Sequence, residues 1–452
     1  MKLKDFVGKI DQRFGQRTGK ALRNFSLSLL TKGMTVAIGI AFVPLLVHQL
    51  TTEKYGVWLT LISILTLLSF SDVGLGHGLK NLLAEFLAKE DYQSAKKVVS
   101  TAYVSLSVIA ISLFLIFICI NPFISWDRVL NASPDMHGEL SILIFFVFSL
   151  FCIQLVLNLI TSIFEAFQMS SYSSVVYMLG QLFAFCLVFL ISRITEGTSL
   201  IPYGIAISLA PICILVIFTF FFLSGKYKFI LPSVKCFDKI YLKRLYFIGI
   251  KFFLIQLTAV LLYQSNNLII AHTVGPNDVA VYNIAYRYAG IVQMLFTIIL
   301  SPVWVASRDA FVKKDFFWIK NIIKHLNHLF LLAILVIIIQ LIFTDNIYRL
   351  WLGPSVKIDF VVTALLMVYF ILSMRNGIYC SVINGTGKIH FQFIMTSVEV
   401  LLHIPLAIFL GSIMGTPGVL ISMCVVALSN SIWMPLQCNK LLNQTAKGIL
   451  NK

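Results

Sequence analysis

The sequence predicts an all-α integral membrane protein of about 12 transmembrane helices in two six-helix lobes, with both termini cytoplasmic. Three observations carry that expectation. Apolar stretches of span length recur along the chain, basic residues fall on alternate connections, and one half matches the other at a fixed offset. The first is a matter of solvent. Of the 452 residues, 59% are hydrophobic and only 12% charged, about half the charge of an ordinary soluble domain. Hydrocarbon must therefore meet most of the surface. A helix rises 1.5 Å per residue, so a ~30 Å hydrocarbon layer takes roughly 20 mainly apolar residues to cross. Such stretches run near 25–48, 55–79, 98–122, 139–168, 172–192, 200–224, 248–272, 278–307, 325–347, 358–383, 389–411 and 416–438. Their apolar runs are continuous and lack the two-residue alternation of a membrane barrel strand. Only helices and closed barrels satisfy the backbone in lipid, so helices remain.

The distribution of positive charge supplies the second observation. A formal charge of +16 could suggest a nucleic-acid partner, but placement decides otherwise. With an inside N-terminus, twenty-six of the 35 Lys and Arg residues lie on that side. Five, Lys54, Arg128, Arg193, Arg349 and Lys357, lie on the other, and Lys32, Lys251, Arg287 and Arg375 lie within spans. This bias follows the positive-inside rule, so the charge reports topology and no nucleic acid is expected. The chain divides into a basic cytoplasmic segment (1–24), a first lobe (25–224), a cytoplasmic linker (225–247), a second lobe (248–438) and a cytoplasmic tail (439–452). No cleavable signal peptide is expected. Leu3, Phe6, Val7, Ile10 and Phe14 share one helical face of the N-terminal segment, which suits either a helix lying on the anionic inner leaflet or a basic tail. Six of the eight cysteines fall in apolar spans. The other two, Cys236 and Cys438, are on the cytoplasmic side without C-x-x-C spacing. Neither a disulfide framework, a metal site nor a cofactor is expected.

The third observation is duplication. Shifting the chain by 224 residues places His48 on His272, Val57 on Val281, Glu85 on Asp309, Lys89 on Lys313, Asp91 on Asp315 and Lys96 on Lys320. The offset spans six helices, an even number, so the halves share one orientation, as in transporters built from parallel repeats. No connection has room for an extracytoplasmic catalytic domain, and the chain has no nucleotide loop, H-E-x-x-H or nucleophile elbow. An enzyme is therefore not expected.

Function then rests on polar groups inside the spans. A charge at the centre of a span costs about 2.5 to 3.5 kcal/mol on insertion scales, so it marks a candidate site. Arg287 lies deep in the eighth span, shares a face with Asn283 and is flanked by Tyr282, Tyr286 and Tyr288, a setting for an anion or for sugar hydroxyls. An interhelical ion pair is the alternative. Lys32, Lys251 and Glu165 lie near cytoplasmic ends, where snorkelling to the headgroups competes with a site role. Glu399 and His403 are four residues apart on one face of the eleventh span and could share a hydrogen bond or a proton, or join helices structurally. Gln256, Tyr263 and Asn267 form a polar stripe on the seventh span. Arg375 and Asp72 lie toward the cytoplasmic half, where they could gate an inner vestibule.

The segment Leu50–Gly76, LTTEKYGVWLTLISILTLLSFSDVGLG, with its L-x-x-x-x-Y-G-x-W opening and D-x-G-x-G close, resembles the second-span signature of bacterial polysaccharide flippases. Ile347–Gly353, IYRLWLG, is similar to that family's short outer-loop motif, and Asn384–Gly387, NGTG, to its inner turn after the tenth span. The likeness covers nearly the whole chain and is to the O-antigen (Wzx-type) branch of the multidrug/oligosaccharidyl-lipid/polysaccharide, MATE-like, superfamily. The resemblance implies a secondary transporter in the bacterial inner membrane. It would move undecaprenyl-pyrophosphate-linked oligosaccharide from the cytoplasmic to the periplasmic leaflet by alternating access, coupled to protons or sodium ions and working beside other polysaccharide-assembly proteins. It also implies a cavity lined by Arg287, Arg375, Lys32 and Lys251, with Asn283 and Tyr286 beside them, and Glu399, His403 and Asp72 in coupling or gating. The rivals are a small-molecule or drug antiporter of the same superfamily, which would prefer an acidic cavity, and an O-antigen polymerase or ligase, which would need a large periplasmic loop.

Overall fold

The computed structural model describes residues 16–194, 199–225, 227–353 and 358–451, apart from the side chains of 16–26, 28, 29, 170, 251, 252, 254, 255, 258, 259, 301, 302 and 305. The amphipathic face expected at Leu3 to Phe14, the Lys251 side chain and Lys357 lie outside the described residues. Among the described residues the chain is helical without strands. The helices are α1 (Gln16–Gln49), α2 (Thr52–Leu68), α3 (Leu75–Ala88), α4 (Tyr92–Ile120), α5 (His137–Leu157), α6 (Leu159–Ala166), α7 (Ser170–Ile194) and α8 (Leu200–Ser224), followed by α9 (Lys239–Thr273), α10 (Pro276–Ala289), α11 (Ile291–Val312), α12 (Phe316–Ile342), α13 (Thr344–Leu352), α14 (Phe360–Thr386), α15 (His390–Met414) and α16 (Thr416–Leu442).

Ten stretches of described helix are long and apolar enough to cross a membrane, or up to eleven when α10 and α11, bent by 50° at their junction, count as one. About 12 were expected. The expected seventh span lies inside α9, several of whose side chains fall outside the described residues. The chain is a multi-pass membrane protein. Its spans are more broken than their hydropathy suggests. The second is interrupted between α2 and α3 by the 3-10 turn Ser69–Asp72, and the fourth divides at Asn158 between α5 and α6.

The duplication appears in the helix ends themselves. α1 ends at Gln49 and α9 at Thr273; α2 starts at Thr52 and α10 at Pro276; α3 ends at Ala88 and α11 at Val312; α4 starts at Tyr92 and α12 at Phe316. Every pair keeps the 224-residue offset of the sequence. The turns after α3 and α11 are built alike. Lys89 pairs with Glu85 and Lys313 with Asp309, each at 2.6 Å, Glu90 and Lys314 take the left-handed conformation at φ 57° and 59°, and Asp91 and Asp315 accept from the amides of Ser94 and Trp318, each at 3.0 Å. The bond from Lys89, with Arg244 adding its charge, holds the Glu85 carboxyl below its usual range. An N-cap aspartate is worth ~1 kcal/mol. Asp91→Ala and Asp315→Ala should therefore each lower the melting temperature in detergent by a few degrees and by similar amounts; a marked inequality would break the equivalence.

Contacts divide the chain into two compact units, one of residues 1–51, 65–129 and 133–257 and the other of 52–64, 130–132 and 258–452. In the first, α1 packs on α7, α7 on α8, α8 on α5 and α5 on α4, while α4 and α6 pack on α3. The expected linker is short, because α9 already begins at Lys239, and it is fastened to α4. The Ser233 amide donates to Ser100 Oγ at 3.1 Å, the Asp238 amide to Thr101 Oγ1 at 3.1 Å and the Tyr241 hydroxyl to Ser94 Oγ at 2.8 Å. In the second unit α14 packs against α16, α11, α12 and α10, and α15 packs on α16. One end of its core gathers Val382, Ile383, Trp433, Met434 and Cys438.

Candidate functional site

A polar group inside a span must find a partner within the protein or face water, since hydrocarbon offers neither. The second unit holds two buried polar networks that meet this demand. On α15, Glu399 is 4% exposed and His403 is 1% exposed. Glu399 accepts from Asn430 Nδ2 at 3.0 Å and from Trp433 Nε1 at 3.1 Å, both on α16. His403 meets Asn266 Oδ1 through Nε2 at 3.0 Å and Ser422 Oγ through Nδ1 at 2.8 Å. Asn266 Nδ2 donates to Leu262 O at 3.0 Å, which leaves its Oδ1 facing the imidazole. The i, i+4 spacing puts both side chains on one face, as expected, but they hold separate partners rather than a bond with each other. The reason is lateral: α16 and α9 offer closer groups than the neighbouring turn of α15. Removing Glu399 with Glu399→Ala leaves the buried Trp433 Nε1 without an acceptor, takes one of two acceptors from Asn430 Nδ2 and opens a cavity, at a cost of about 2 to 5 kcal/mol. Glu399→Gln should cost less in a detergent melting experiment; equal losses would mean that these hydrogen bonds carry no stability.

The second network is a relay. Asn283 Nδ2 donates to Val279 O at 2.8 Å and Asn267 Oδ1 at 2.7 Å, Asn267 Nδ2 donates to Ser63 Oγ at 2.7 Å, and Ser63 Oγ donates to Leu59 O at 2.9 Å. Tyr286 packs its ring 4.9 Å from Phe370 and 5.7 Å from Tyr282. Asn283, Asn267 and the tyrosines singled out in the sequence thus share one unit. The stripe on the seventh span is split: Asn267 joins this relay, whereas Gln256 Oε1 meets His77 Nε2 at 2.9 Å in the first unit.

The cations behave differently. Arg287 and Arg375 are exposed although each lies far inside its span. Arg287 stands in the last turn of α10, eleven residues beyond Pro276 and just before the bend to α11, and Arg375 eleven before Thr386, ~16 Å from the nearer end of each span at 1.5 Å per residue. A guanidinium at such depth is not stable against lipid tails, so the surfaces that carry them lie toward water. Arg287 is also within electrostatic reach of buried Tyr55. Lys32 is exposed on α1, consistent with snorkelling. Lys80, not singled out in the sequence, lies on α3 and pairs with Glu165 of α6 at 2.8 Å; Glu165 is thereby accounted for as half of an ion pair. Asn266, Ser422, Asn430 and Trp433 went unmarked as well. The adjacent asparagines at 266 and 267 inside a span were the available signal; the α16 residues have none, because their role exists only once α15 lies beside them.

Asp72 is a structural acid. Its carboxylate accepts from the amides of Gly74 at 2.9 Å and Gly76 at 3.2 Å, closing the turn that breaks the second span. Gly74 has φ 80° and a Cβ built there would lie 2.4 Å from Gly249 O, while one on Gly78 would lie 2.3 Å from Leu245 O. Gly74 of the D-x-G-x-G close and Gly78 beyond it therefore let α3 touch the backbone of α9 within the first unit. In the second unit, a Cβ on Gly56 would lie 1.7 Å from Pro276 O, with Tyr55 and Trp58 buried beside it. In the later motifs Tyr348 OH meets Thr363 Oγ1 at 3.1 Å, and Gly387 ends α14 at φ 75° with Arg308 bonded to Thr386 O at 3.2 Å.

Comparison with known proteins places this geometry. Residues 21–305 match the family model described as Polysaccharide biosynthesis protein. A Yersinia pseudotuberculosis protein named for O-antigen export is 23% identical over 365 residues, 78% of this chain and 81% of that protein. A Salmonella typhimurium protein named for O-antigen transport is 22% identical over 425 residues, 90% of this chain and 94% of that one. Among solved structures, an inward-facing multidrug resistance MATE family transporter of the MOP superfamily superposes with a TM-score of 0.71 at 16% identity, over 93% of this chain and 100% of that chain. The lipid II flippase MurJ in its inward closed conformation superposes with a TM-score of 0.68 at 14% identity, over 93% and 89%. These structures share the fold. With its model matched across more than half of the chain, the chain belongs to the polysaccharide biosynthesis protein family.

Proposed function

We propose that the chain is a flippase for lipid-linked oligosaccharide, carrying an undecaprenyl-pyrophosphate-linked repeat unit from the cytoplasmic to the periplasmic leaflet of the bacterial inner membrane by alternating access. The observation that carries the reading is the pair of exposed guanidinium groups, Arg287 and Arg375, at mid-span depth. Arginine pairs bidentately with phosphate oxygens, and a surface that must be wet and cationic suits a pyrophosphate head. The glycan head of such a substrate cannot enter hydrocarbon bare, because each unpaired polar group costs several kcal/mol. Family membership and relatives named for O-antigen export and transport support the same substrate class.

Asn283 and Tyr286 adjoin Arg287 and would meet sugar hydroxyls, with Lys32 and Lys251 adding charge nearer the inner ends. Buried Glu399 and His403 would couple transport to protons or sodium ions, with both termini cytoplasmic. Nothing in these roles makes or breaks a covalent bond; the chain acts as a secondary transporter rather than an enzyme.

Deletion of the chromosomal gene followed by complementation tests the reading. Loss of surface polysaccharide on deletion, with lipid-linked precursor accumulating in the membrane and full recovery from a plasmid copy, is the expected result. Intact surface polysaccharide after deletion would sink the proposal and move a small-molecule antiporter of the same superfamily ahead.

A further inference from the structure

Helices α1 and α7 end side by side in the first unit, around a cavity of about 250 Å³ lined by Leu45, His48, Gln49, Phe189, Ser192 and Arg193. The lining is rich in donors and contains no acid. The Arg193 guanidinium sits over the Phe189 ring at 5.2 Å, which fixes a long side chain at the mouth. Gln49 Oε1 accepts from Tyr203 OH at 3.4 Å, turning its amide nitrogen into the group on offer, and Ser192 Oγ donates to Phe189 O at 2.7 Å.

Location narrows the ligand. α1 and α7 lie in the first and fifth spans, so their C-terminal ends reach the same membrane face, opposite the basic N-terminal segment. That face carries only five of the 35 Lys and Arg residues; a cation there opposes the topological bias, so its place needs another cause. One turn before the end of α7, Leu190 is 55% exposed, a surface for acyl chains. A cationic pocket at headgroup height above an apolar belt has the form of a lipid headgroup site. Its volume of about 250 Å³ leaves room for a phosphodiester headgroup.

We propose that this cavity binds the phosphate of an anionic membrane lipid, with Arg193 as the principal donor and His48 and Gln49 beside it. The inference stands apart from the transport reading, since none of these residues belongs to the proposed transport site. Two lipids present the same chemistry, an anionic phospholipid and a polyprenyl phosphate, and the measurement separates them.

Full-length protein is delipidated in detergent and titrated with phosphatidylglycerol, phosphatidylethanolamine or undecaprenyl phosphate, with bound lipid counted by native mass spectrometry. Phosphatidylglycerol is expected to bind wild type about tenfold or more tighter than it binds Arg193→Gln, the loss expected for a charge-assisted hydrogen bond. Arg193→Lys should be intermediate. Arg128→Gln, a charge on the same face outside the cavity, should match wild type and control for general attraction. Tighter binding of undecaprenyl phosphate, equally sensitive to Arg193, keeps the lipid-phosphate site and assigns it to the carrier lipid. Equal binding of phosphatidylethanolamine, or Arg193→Gln unchanged while eluting as a monodisperse peak, overturns the proposal. Should Arg193→Gln misfold, the wild-type preference between phosphatidylglycerol and phosphatidylethanolamine decides alone.

Discussion

Gly74→Val is expected to abolish the yield of folded protein. Two costs coincide at this position. The backbone sits at φ 80°, which a β-branched residue adopts only under ~1 to 3 kcal/mol of strain, and the new Cβ would stand 2.4 Å from the carbonyl oxygen of Gly249. That neighbour is backbone and cannot rotate away, so α3 and α9 would have to separate, at a further ~1 to 3 kcal/mol. The sum, ~2 to 6 kcal/mol, reaches the lower end of the ~5 to 15 kcal/mol that keeps a domain folded. Gly249→Ala meets Gly74 O at 2.2 Å without left-handed strain and should be damaged less. Gly138→Ala, with nothing within 4 Å of its Cβ, should be neutral. Fluorescence-detected size-exclusion with a melting ramp reads all three; a stable, monodisperse Gly74→Val would show that the tight crossing is unimportant.

Arg287→Ala is expected to lower surface polysaccharide at least tenfold while leaving membrane abundance unchanged. A charge-assisted hydrogen bond is worth about 1.5 to 3 kcal/mol, roughly 10- to 100-fold in binding. Arg287 is exposed, so removing it opens no core cavity. Arg287→Lys keeps the charge but not the planar fork and should recover only part of the activity. Wild-type polysaccharide from Arg287→Ala at equal abundance would remove Arg287 from the transport path. Melting temperature separates the two predictions: Gly74→Val acts through folding, and Arg287→Ala should leave folding intact.

Much of the architecture is legible in the amino-acid order for a physical reason. Span length follows from bilayer thickness, the turns after α3 and α11 repeat because the same capping aspartate and Lys pair recur 224 residues apart, and deep arginines stand out because lipid penalises them. The interruptions were not legible. Hydropathy averages over a window and does not register the left-handed pair Val73 and Gly74 or the bend at Gly290. The pairing of Lys80 with Glu165 is not legible either, because the two are distant in sequence and only the packing of α6 on α3 joins them.

By itself, the sequence determined solvent, duplication and which charges are too deep to be accidental, because each depends on composition over one helix or on a fixed spacing. Only the tertiary structure decided the partners. Glu399 and His403 share a helix face yet are satisfied by Asn430, Trp433, Asn266 and Ser422, and Asp72 closes a turn. A buried polar group is satisfied by whichever helix stands beside it, and that choice exists only after the helices have packed.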